Sequence, residues 1–232
     1  MIQLIPNHPN PPVKLTRRVI DRMAMGQSPV HVILDAKDLQ SSRDFDGKRA
    51  LMLSHYRKWP LDAPEYIKEI VRNPDFRFLV WISRRVCESS EAEFCLTLAH
   101  ELQHVRLASN DPQTYKLGLL LLDKAHEWYP DIPSWVRIPV EYDAERTGKG
   151  VVLEFLGQSA FDSLIASKLE SCALEDKPRW EDLRDLPFGV PFDVAHETRR
   201  WVCRYKEKYK RLRREDPEVP FIEEFDFDEI CS

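Results

Sequence analysis

The stretch Ala99-His100-Glu101-Leu102-Gln103-His104 constrains this chain more than any other. It lies in a segment where Leu98, Leu102 and Val105 recur at helical spacing, with Cys95 and Ala99 beside them. On a helix, residues four apart stand one turn above each other, so His100 and His104 present their imidazoles to the same side. Two such rings can grip one zinc ion while Glu101, beside them, polarises a bound water. The spacing therefore predicts metal-assisted hydrolysis.

Zinc prefers four ligands, and a catalytic site takes three from protein and leaves one for water. The downstream histidines, His126 and His196, do not stand at the short spacing that would extend the motif as H-E-x-x-H-x-x-G-x-x-H. A carboxylate is the better candidate. Glu141-Tyr142-Asp143-Ala144-Glu145-Arg146 begins 37 residues after His104, at the start of a predicted helix and beyond one intervening helix. Asp143 competes with Glu141 for the metal, although on a helix the two point about 200° apart.

A helix with His100, Glu101 and His104, followed by E-x-x-A-[D/E]-R in a later helix, resembles the gluzincin branch of zinc metallopeptidases. The pattern is most similar to the small soluble members, the minigluzincins and the ImmA/IrrE-type peptidases. It also echoes the HtpX-type membrane peptidases, whose membrane-spanning helices have no counterpart here. The resemblance covers roughly residues 75–158. It implies that Glu141 is the third zinc ligand, and that Glu145 is an acid orienting a metal-bound imidazole through its other N–H. It also implies that a strand before the motif helix edges the cleft and pairs with an extended peptide; Phe76–Arg84 is either that strand or an ordinary core strand. Three residues are candidates for a further oxyanion donor: His196, Tyr142 and Arg146.

Other features narrow the class. A net charge of −5 gives no global pull toward nucleic acid or anionic membrane. The longest apolar runs, Phe78–Ile82 and Leu117–Leu122, fall far below the roughly 20 residues that span a bilayer. The N-terminus lacks a basic region followed by an apolar core, so no signal peptide is expected. Five scattered cysteines without a C-x-x-C pair suit reduced thiols in a cytoplasmic protein.

Along the chain, residues 1–13 are rich in Pro and Asn and read as an extended arm. Helices are expected at 14–25, from Pro64 with Asp62 as cap, from Ser90 through the motif, at 113–128, from Pro139 to about 157, and at 159–170. Ser90 and Glu93 form a capping-box pattern at the start of the motif helix. Strands are expected at Val30–Ala36, Arg49–Tyr56 and Phe76–Arg84. Gly148 and Gly150 either weaken their helix or permit close packing. The Pro-punctuated segment 176–191 reads as a surface linker.

Residues 193–214 form a basic helix with nine Lys/Arg against three acids, and 215–229 carries eight acids and no base. Trp201, Tyr205 and Tyr209 recur every four residues, a stripe suited to docking on the body. The acidic tail can neutralise the basic face in cis, so nucleic acid is not an expected partner.

The sequence thus predicts an α+β, zincin-like protein: a small mixed sheet, an active-site helix and a mostly helical C-terminal half. Residues 1–175 form the expected metallopeptidase domain and 176–232 a helical extension. The expected function is a zinc-dependent endopeptidase with His100, His104 and Glu141 as metal ligands and Glu101 as general base, acting on a peptide or protein substrate. The alternative is a non-catalytic regulatory protein on the same scaffold, with the basic helix contacting a partner.

Overall fold

The computed structural model describes residues 2–25, 29–38, 49–56 and 63–215. Asp62 and the acidic tail beyond Glu215 lie outside the described residues, as do the side chains of His126 and Tyr209. The fold is mixed α+β, built on a four-stranded sheet. Strand β1 (Ile2–Pro6) pairs parallel with β2 (Val30–Leu34), and β2 pairs parallel with β4 (Phe78–Ile82). Strand β3 (Ala50–Ser54) closes the order β1-β2-β4-β3 and runs antiparallel to β4.

The extended first residues belong to the sheet, because Ile2–Pro6 bonds in register to Val30–Leu34. Of the two roles open to Phe76–Arg84, cleft edge or core, Phe78–Ile82 takes the core one. It lies between two neighbours and all five of its residues are buried, which is why it reads as a continuous apolar run. The edge on that side is β3.

Alternation sorts the sheet residues into two cores. Val30, Val32, Leu34, Phe78, Val80 and Ile82 belong to the main core with helices α1 (Val13–Met23) and α4 (Glu91–Asn110). Ile33, Leu79 and Trp81 point the other way and pack with Leu53, Phe76 and Ile67 of α2 (Glu65–Arg72). A short helix α3 (Arg84–Cys87) leads from β4 toward α4.

The start of α4 is half a capping box. Ser90 Oγ accepts from the Glu93 backbone N–H at 3.2 Å, but the Glu93 side chain does not return to Ser90. It turns inward to Arg49 and to Lys168, 2.7 Å away. Asp111 then caps α5 (Pro112–Trp128) by accepting from the Thr114 N–H. A 3₁₀ turn at Trp135–Arg137 leads into α6 (Pro139–Leu156), followed by α7 (Gln158–Ser171).

Helices α4 and α6 form the most extensive helix pair, antiparallel and in close contact. Gly148 makes the approach possible, since a Cβ there would sit 2.7 Å from the Leu96 carbonyl oxygen. Of the two expected roles for this glycine, the structure selects close packing. Gly148→Ala should therefore lower stability. Alanine gains about 1 kcal/mol in helix propensity, but overpacking against backbone costs about 1–3 kcal/mol. Thermal denaturation should show a fall in Tm, and a Tm at or above wild type would contradict the close contact.

The segment expected as a linker contains α8 (Lys177–Asp185), with Pro178 in the first turn, where a missing N–H costs nothing. Its carbonyls at Arg184 and Leu186 accept from the buried Lys149 Nζ, both at 2.7 Å. Asp182 adds a forked pair with Arg137, the shorter contact being 2.7 Å. Helix α9 (Val194–Glu215) docks on α5 and α6, with Trp201 and Tyr205 in the contact. Tyr205 stacks on Trp128 at 3.7 Å, and Tyr129 donates to the Trp201 carbonyl. Cys87, Cys95 and Cys172 are free thiols. No helix among the described residues is long and apolar enough to cross a membrane.

Candidate metal centre

On α4, His100 and His104 lie on the side facing α6. Their rings stand edge to face, 4.7 Å apart, and the two Nε2 atoms converge to 3.1 Å. Glu141, in the first turn of α6, closes the triangle: its Oε2 lies 3.4 Å from His100 Nε2 and its Oε1 3.3 Å from His104 Nε2. The three side chains are only 12, 11 and 18 % exposed. Among the described residues, this is the one cluster whose donor atoms are grouped to hold a metal ion.

The spacings fit zinc. With ligand bonds of 2.0–2.1 Å, the edges of a regular tetrahedron are about 3.3–3.4 Å. Two imidazole lone pairs and a carboxylate facing one another this closely repel unless a proton or cation sits among them. The donor set, two nitrogens and one oxygen from three side chains, would leave a bound zinc ion one position for water.

The antiparallel pairing of α4 and α6 decides which acids reach the histidines. Glu141, Glu145 and Gly148 fall at i, i+4 and i+7, so they share the face of α6 that meets α4. Glu145 Oε1 lies 3.7 Å from His100 Nδ1, beyond hydrogen-bond length but within ion-pair reach. A proton on Nδ1 facing Glu145 leaves the Nε2 lone pair for the metal. Asp143 is turned elsewhere and accepts from Gln103 Nε2. The competing ligand is thereby removed.

Arg179 had no signal in the sequence. Projecting from α8, it donates to Glu145 Oε1 from Nη2 at 2.7 Å and from Nε at 3.2 Å. Lys149, one turn after Glu145, holds the far end of α8 by its carbonyls, so α6 fixes that helix at two points.

Electrostatics follow from this packing. Burial opposes charge on Glu145, but Arg179 and His100 outweigh it and bring its pKa down to about 2. Burial likewise works against a charged His100, yet Glu145 and Glu141 hold its pKa well above the ordinary histidine value. For Glu141, burial is overcome by His104 and His100, and the carboxyl stays well below the usual range. Glu101 differs. Burial dominates there and raises its pKa, with His100 and His104 pulling the other way. A cation at the centre would compete with a proton for His100.

The centre opens into a cleft of about 620 Å³. Ala50, Leu51 and Met52 of β3 line one side, with Glu101, Tyr115, Leu119, Trp135, Arg179 and Trp180 around the rest. Of the three residues considered as oxyanion donors, none lines this cleft. Tyr142 borders a separate pocket against Phe192, Arg146 donates to the Val190 carbonyl, and His196 is exposed on α9. The cations that do line it are Arg49 and Arg179.

No family model, curated protein or solved structure matches this chain.

Proposed function

We propose that the protein is a zincin-like metallopeptidase of the gluzincin type, a zinc-dependent endopeptidase. The observation that carries this reading is the convergence of His100 Nε2, His104 Nε2 and the Glu141 carboxylate at 3.1–3.4 Å, with Glu101 beside them in a cleft.

A zinc ion held there supplies Lewis acidity, lowering the pKa of water toward about 7 and polarising a carbonyl oxygen. Glu101 accepts the proton of the attacking water and passes it to the leaving amine. Burial raises its pKa, which strengthens it as a proton acceptor. Glu145, clamped by Arg179, holds the His100 ring in the required orientation. Among the described residues no strand pairs with the outer side of β3, and that edge can take an extended peptide. Three consecutive residues of that strand line the cleft, so its edge rather than one face borders it.

The test is metal content together with cleavage of unstructured peptides. Purified protein should hold one zinc ion per chain, or take one up. A chelator should abolish cleavage, and added zinc should restore it. Protein that cannot be loaded with metal would end this reading. Metal bound without cleavage of any peptide would favour a regulatory protein on the same scaffold.

A further inference from the structure

The cleft beside the metal centre has two chemically different ends. Progress along α4 separates them. Arg49 is held by Glu93, seven residues before His100, roughly 10 Å at the helical rise. Arg179 is held by Glu145, which faces the Nδ1 side of His100. Both cations thus lie toward the N-terminal end of α4. At the other end Tyr115 of α5 reaches Met52 Sδ at 3.8 Å, and Leu119, Leu122 and Val140 complete an apolar wall.

The charged end sets three cations against three carboxylates. Arg49, Lys168 and Arg179 surround two buried carboxylates, Glu93 and Glu145, while Asp176 stands exposed on the rim. Burial and the nearby Arg179 and Arg85 lower the Arg49 pKa to about 10. Burial together with Arg49 and Arg179 lowers that of Lys168 to about 8. Each cation feels the others. Arg179 spends its Nε and Nη2 on Glu145, and a guanidinium has five N–H donors in all. Donors remain for a ligand, and both guanidiniums line the cleft.

We propose that Arg49 and Arg179 form a carboxylate-binding subsite for peptides, on the C-terminal side of the bond that is cut. This rests on the peptidase reading. Its polarity comes from β3, which runs from Ala50 to Ser54. A peptide strand added antiparallel, the more stable pairing, runs from the Met52 end toward Arg49. Its apolar side chains then meet Met52, Tyr115 and Leu119, and its carboxylate meets the arginines. The carboxylate is either the chain terminus or an Asp/Glu side chain.

Three fluorescein-labelled peptides with a common apolar N-terminal half separate these sources. One is neutral with an amidated end, one has Glu for Gln and an amidated end, and one is neutral with a free carboxylate. Binding is measured by anisotropy on full-length, zinc-loaded Glu101→Gln protein, and cleavage on the wild type. At least one carboxylate peptide should bind about tenfold or more tightly than the neutral amide, a charge-assisted pair being worth at least that factor. In Arg49→Gln the ratio should fall below about twofold, and Arg49→Lys should retain part of it. A preference following the free end marks an exopeptidase, and one following Glu marks an endopeptidase. Equal or absent binding of all three peptides overturns the subsite, as does a preference unchanged in both Arg49→Gln and Arg179→Gln. Cleavage without any carboxylate preference removes the subsite and leaves the peptidase. Preference without cleavage of any peptide keeps the subsite and removes the peptidase.

Discussion

Glu101→Gln should retain zinc and lose about 10²–10⁴-fold in peptide cleavage, the range by which a positioned proton acceptor speeds such a step. The substitution keeps size and shape, so it leaves the α4–α6 contact alone. Glu101 is also not one of the three groups whose donor atoms converge. What it removes is a carboxylate that lines the cleft beside the centre without being one of its converging donors. His100 and His104 already draw on Glu141 and Glu145. Metal analysis and kcat on the same preparation check both halves of the expectation. A variant that loses zinc along with activity would mean that Glu101 is a ligand. A variant with wild-type turnover would mean that the proton goes elsewhere.

Glu141→Ala should act on the opposite quantity. Partners that merely orient a ligand are worth about 10–100-fold in metal affinity, and loss of a ligand should exceed that. Competition against a chromophoric chelator measures it. Glu145→Gln, which alters only the group 3.7 Å from His100 Nδ1, should fall in the smaller range. Asp143→Asn should leave affinity unchanged, because Asp143 is engaged by Gln103. If Asp143→Asn weakened zinc more than Glu141→Ala, the assignment of ligands along α6 would be reversed.

How far these groups could be read in advance depends on the distance over which each is fixed. The histidine pair follows from helical geometry alone, and Ser90 marks where that helix begins. Glu141 came from a resemblance, and its geometry relative to the histidines required the helix pairing. Which strand forms the edge is not legible in the sequence, because apolar alternation reports what kind of element forms, and β3 and β4 both qualify. Their order in the sheet depends on partners that neither segment encodes. Segment 176–191 misled for a similar reason: Pro178 breaks a helix interior but suits a first turn.

The sequence by itself determined the two imidazoles, the carboxylate between them and the helix that carries all three. These depend on contacts within about one turn, where backbone geometry leaves little choice. The tertiary structure alone decided that Glu145 answers to Arg179, that Asp143 turns away, and that β3 borders the cleft. It also brought Arg49 and Arg179, 130 positions apart, to one end of that cleft. Those outcomes depend on how closely α6 approaches α4 and on where α8 is pinned. Gly148 and Lys149, adjacent on α6, set these two distances.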